Sequence, residues 1–215
     1  MFPAIFTNII SMKKDLQEGL KPYLPENSLE PVMSWLNGRH VFLRITRNRR
    51  TKLGDYRPPV KDPVHRISVN GTLNPYEFLI TLTHEIAHMM VWEKYARRVK
   101  PHGKAWKTQY SMMLASLLEM GIFPADMVEM VRKQVTNPRA NSQGHADLAR
   151  MLQERSAGHS GMFLEDLPAG AIFSLPGGRR FRKQEKLRKW YRCISLDNKR
   201  LYRISPVAVV IPIEN

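Results

Sequence analysis

The segment His84-Glu85-Ile86-Ala87-His88 constrains this chain more than any other feature. It sits in a stretch with an unusually complete helix start. Asn74 suits the cap, Pro75 the first helical position and Glu77 the reciprocal place of a capping box. Phe78, Leu79, Leu82 and Met89 carry the helix on to about Tyr95. Residues four apart on a helix face the same way, so the two imidazoles can reach one ion. Glu85 is then close enough to both to take a proton from a water activated there. Chance places an HExxH in roughly one chain of this length in a hundred. Burying these side chains against an apolar face without a metal would be costly.

A catalytic zinc keeps three protein ligands and one open position. The only cysteine is Cys193, so neither an intramolecular disulfide nor a multi-cysteine metal site is available. The metzincin pattern would place Gly at 91 and His at 94, where this chain has Val91 and Lys94. A thermolysin-like carboxylate ligand would have to be Glu119. His102 is the better candidate, because it follows a basic break at 97–101 and precedes Gly103, which lets the backbone come close. Three imidazoles favour zinc, one ion per chain. His40, His65, His145 and His159 have no such company and read as structural or surface residues.

The rest of the chain reads as α+β. A helix is expected over 5–20 and another over about 29–36, stopped by Asn37-Gly38. Val41, Leu43 and Ile45 alternate as in a strand, and so do Ile67 and Val69. The basic, turn-rich stretch 47–63 reads as a loop or hairpin link. Further helices are expected from about Gly103 to Met120, from Pro124 and from about His145 to Gln153. After Gly158 short alternating runs punctuated by Gly177-Gly178 and Asp197-Asn198 indicate a small antiparallel β module. The expected division is 1–157 and 158–215. No apolar run is long enough to span a bilayer. The apolar start lacks a basic n-region and a cleavage site, so a cytoplasmic location is expected.

With His102-Gly103-Lys104-Ala105-Trp106-Lys107 following the HExxH, the chain resembles the SprT-like family of zinc metalloproteases, which includes proteases acting on proteins crosslinked to DNA. Thr51-Lys52-Leu53-Gly54 and Arg66-Ile67-Ser68-Val69-Asn70 resemble the family's strand region, so the likeness spans about residues 30–120. It implies His84, His88 and His102 as ligands, Glu85 as the catalytic residue and a compact, zincin-like helical domain with a short sheet and an exposed cleft. Many members add a zinc ribbon with four cysteines. Here the β module keeps only Cys193 and resembles a ribbon without its metal.

Net charge is +15 and the isoelectric point about 10.2, an excess that attracts polyanions. Arg47, Arg49, Arg50, Lys52, Arg97, Arg98 and Lys100 flank the zinc helix in sequence. Arg179, Arg180, Arg182, Lys183, Lys186, Arg188, Lys189 and Arg192 form a second basic run, with Phe181, Trp190, Tyr191 and Tyr202 interleaved as in binders of single strands. The reading is a zinc endopeptidase acting on DNA-bound or DNA-crosslinked proteins, with single-stranded or junction-containing DNA as partner and a nucleoid association if DNA is bound. The alternatives are a nucleic-acid-binding protein with a non-proteolytic metal site, and a peptidase unrelated to DNA.

Overall fold

The computed structural model describes residues 15–46, 52–60, 63–140, 146–155 and 162–213, which fall into two compact units, Met1–Leu152 and Gln153–Asn215. The expected first helix lies partly outside these residues, and 15–20 are helical.

In the first unit, helix α1 (Leu29–Leu36) buries Val32, Met33 and Leu36. Strands β1 (Val41–Thr46), β2 (Gly54–Arg57) and β3 (His65–Asn70) form a sheet in the order β1-β3-β2. β1 runs parallel to β3, and β2 pairs antiparallel with it. In β3, His65, Ile67 and Val69 point inward, while Phe42 and Arg44 of β1 are exposed, as alternation requires. β2 corrects the reading of 47–63 as a link. Its sequence Gly-Asp-Tyr-Arg carries no strand periodicity, and pairing with β3 defines it.

Helix α2 (Pro75–Tyr95) is the centre of the unit, with every residue from Glu77 to Ala87 buried. The Asn74 side chain accepts from the backbone N–H of Tyr76 at 3.1 Å and of Glu77 at 3.0 Å. Its amide also donates to Leu152 O at 2.5 Å. Helices α3 (Lys104–Glu119) and α4 (Ala125–Thr136) pack in sequence after it, and α5 (Ala146–Glu154) supplies Leu148 and Leu152 to the same core. α3 ends in a Schellman motif. Gly121 at φ +66° donates to Leu118 O and Ile122 donates to Leu117 O.

The second unit is a six-stranded antiparallel sheet in the order β4-β9-β5-β6-β7-β8. The strands are β4 (Met162–Phe163), β5 (Ile172–Ser174), β6 (Arg180–Lys186), β7 (Tyr191–Ser195), β8 (Leu201–Ile204) and β9 (Val209–Ile213). Leu164, Phe173, Phe181, Cys193 and Val210 form its own small core. No helix among the described residues is long and apolar enough to cross a membrane.

Candidate metal centre

The Nε2 atoms of His84, His88 and His102 converge, with separations of 3.2 Å (84 to 88), 3.1 Å (84 to 102) and 2.9 Å (88 to 102). Hydrogen bonding cannot account for this triangle. Each Nε2 is either a donor or an acceptor, and among three mutually touching atoms at least two must be alike. One cation facing three lone pairs resolves all three contacts together. A tetrahedral zinc with Zn–N of about 2.0–2.1 Å holds its nitrogens about 3.3 Å apart, so the donor set fits. The same three residues form a group able to hold a metal ion among the described residues.

Burial and the neighbouring imidazoles His88 and His102 push the pKa of His84 down to about 2. Burial and His102 push His88 down to about 4, and burial lowers His102. At neutral pH the rings are therefore uncharged and offer lone pairs.

Each ligand is placed by local structure. His84 and His88 lie one turn apart on α2. His102 sits at φ +57°, a left-handed backbone rarely adopted by residues with a side chain. That turn is closed by Gly103 N–H donating to Lys100 O at 3.0 Å. A Cβ at Gly103 would come within 2.9 Å of the same carbonyl, so the glycine is needed for the close approach. Glu119, the alternative ligand, is exposed at the far end of α3.

Glu85 is buried beside the ligands, at 6% exposure. β2 crosses directly over it. A Cβ on Gly54 would meet Glu85 Oε1 at 2.5 Å and Thr81 Cγ2 at 2.8 Å. Trp106 forms the floor, its ring centroid 4.6, 5.3 and 4.7 Å from those of His84, His88 and His102, and its indole N–H donates to His84 O at 3.4 Å. Neither role was read from the sequence. The spacing of Trp106 and Tyr110, four apart on one face of α3, is the signal that marks the floor.

On the other side, Tyr56 of β2 lies parallel to the His88 ring, and its hydroxyl meets His65 Nδ1 at 2.9 Å. His65 is buried, within 3.7 Å of Glu93, which Arg39 holds through a 2.8 Å ion pair. This agrees with a structural role for His65. His145 and His159 lie outside the described residues.

The centre opens into a cleft of about 760 Å³ lined in part by Leu53, Tyr56, Val91, Trp92 and Val99. Lys52, Arg97 and Lys100 also line it. Arg98 is exposed nearby in sequence, and Arg47, Arg49 and Arg50 lie outside the described residues.

In the second unit Arg179, Arg182, Lys186, Arg188 and Lys189 are exposed. Arg180 pairs with Asp197 at 3.3 Å, and Arg192 pairs with Glu185. Lys183 does not fit the expected exposed contact. It is 4% exposed, and its ammonium donates to Leu167 O at 2.5 Å and Glu165 O at 3.2 Å. The interleaved aromatics do not form a stacking platform either. Phe181 is buried, and Tyr191 and Tyr202 pack on the core, because strand alternation sends them to the face opposite Arg182 and Arg203. Trp190, at 44% exposure, is the exception.

The first unit thus has the organisation of a metallopeptidase-like domain, an HExxH helix completed by a histidine from the next turn. Residues 37–122 match the model of the SprT-like family. The match contains all three histidines and Glu85 and ends at Ile122, before α4. Neither curated proteins nor solved structures give a match.

Proposed function

We propose that the chain is a zinc-dependent endopeptidase that acts on proteins associated with nucleic acid. The observation that carries the peptidase reading is the convergence of three neutral imidazole Nε2 atoms beside a buried glutamate in an open cleft. His84, His88 and His102 would hold the zinc. Bound there, the ion would lower the pKa of a water toward about 7 and polarise the scissile carbonyl. Glu85 takes the proton from the attacking water and returns it to the leaving amine. Gly54 allows β2 to lie against Glu85, and among the described strands β2 pairs with β3 alone. Its other edge offers backbone groups to an extended polypeptide in the cleft.

The nucleic-acid part rests on charge. The +15 balance supports it, as do Lys52, Arg97 and Lys100 at the cleft and Arg179, Arg182, Lys186, Arg188 and Lys189 in the β module. With Phe181, Tyr191 and Tyr202 turned inward, the contacts would be mainly to phosphates, and binding would weaken steeply with salt.

The test is cleavage of a protein crosslinked to single-stranded DNA by wild type and Glu85→Gln, with the free protein as control. Wild type is expected to cut the crosslinked protein in preference to the free one. The variant should lose about 10²–10⁴-fold in rate while retaining zinc. Equal cutting of both substrates would favour a peptidase unrelated to DNA. No cutting by a wild-type protein that binds zinc and DNA would favour a binding protein.

A further inference from the structure

Among the described residues, five buried side-chain polar atoms close no hydrogen bond. Three of them, His84 Nδ1, the Tyr110 hydroxyl and Gln134 Oε1, belong to three consecutive helices behind the metal centre. Tyr110 and Gln134 are both fully buried. The Tyr110 ring lies edge-on to His84 at 5.5 Å between centroids. The Gln134 side-chain amide lies beside the Tyr110 hydroxyl, although no full hydrogen bond closes between them.

The donors and acceptors have one consistent direction. If His84 gives its Nε2 lone pair to a cation, its proton must sit on Nδ1, a buried donor in need of an acceptor. The Tyr110 oxygen can accept it and donate its own hydrogen onward. Gln134 Nε2 already donates to Arg139 O at 3.4 Å, which turns Oε1 toward the role of acceptor. Ser111 Oγ donates to Val135 O at 2.6 Å and ties α3 to α4 beside this pair.

We propose that Tyr110 and Gln134 are positioning residues for the metal ligand His84, forming a relay from His84 Nδ1–H to the Tyr110 hydroxyl and from that hydroxyl to Gln134 Oε1, closed directly or through one bridging water. The relay fixes the His84 tautomer and ring orientation and strengthens Nε2 as a ligand. It rests on the zinc reading of the histidine triangle.

The experiment measures zinc affinity by chelator competition, and the thermal midpoint of the metal-free protein, for wild type, Tyr110→Phe, Gln134→Met and the double variant. Tyr110→Phe is expected to weaken zinc about 10–100-fold. Gln134→Met should weaken it less, and the double variant should match Tyr110→Phe alone, because the residues act as one chain. The metal-free midpoints should fall far less than zinc affinity does, since without a cation the His84 proton is free to sit on Nε2 and Nδ1 needs no acceptor. Gln134→Glu keeps an acceptor and should hold zinc better than Gln134→Met.

Zinc affinity within about threefold of wild type in Tyr110→Phe would overturn the relay and point to the ring face as the partner of Nδ1–H. Losses that follow an equal loss of metal-free stability would overturn it as well. A wild-type protein that takes no zinc would sink the metal reading first, and this one with it.

Discussion

The two units bury polar charge chemistry in opposite ways. In the first, three nitrogen acceptors meet around no cation of the chain's own. In the second, the Lys183 ammonium is itself the cation, bonded to two carbonyl oxygens and 4.1 Å from the centroid of the Tyr191 ring. Burial lowers the pKa of His84 and of Lys183 alike. What differs is completeness. Lys183 finds acceptors inside its own fold, whereas the histidine triangle needs a ligand to reconcile its members. A buried polar group that is satisfied holds a fold together, and a set that is mutually frustrated marks a binding site.

The sharpest way to break this contrast is His102→Ala. Removing one corner of the triangle should cost more zinc affinity than the ~10–100-fold lost with a supporting residue, while the second unit keeps its stability. Chelator competition on the variant checks it. Gly54→Ala tests whether Glu85 depends on the close approach of β2. The new methyl group collides with Glu85 and Thr81, so peptidase activity should fall roughly 10²-fold, with about 1–3 kcal/mol of stability lost to overpacking. Normal kcat/KM would show that the strand has room to move.

Lys183→Met probes the other half. It leaves Glu165 O and Leu167 O without that donor at an expected cost of about 1–3 kcal/mol in denaturant unfolding, with zinc affinity unchanged. Acid is the gentlest probe. The folded pKa values of His84 and His88 lie below the usual value near 6.5, so in this range the unfolded chain binds more protons. Their contribution is fully present above about pH 6.5 and is lost as pH falls, through about 4 for His88 and on towards about 2 for His84. The metal-free protein should therefore melt at progressively lower temperature over that window.

Much of the candidate metal centre was legible in the sequence, because its histidines follow backbone periodicity. His84 and His88 are a helical turn apart, and the cap at Asn74 and the stop at Gly121 stand where their chemistry requires. His102 was legible through the glycine after it, though the left-handed backbone at His102 itself was not. β2 was hidden because an edge strand of four residues owes its form to β3. Its Gly54 looked like a turn residue and serves as a contact surface for Glu85. In the β module the strands were visible but their faces were not assigned. The alternation that exposes Arg182 and Arg203 also buries Phe181 and Lys183, so a run of cations and aromatics in sequence separates onto two sides of a sheet.

The central claim is that the three imidazoles are one zinc site, and titration of zinc into the metal-free protein tests it most directly. One ion per chain is predicted, bound tightly by wild type and by Glu85→Gln and lost in His84→Ala. Absence of binding, or binding that survives His84→Ala unchanged, would contradict it.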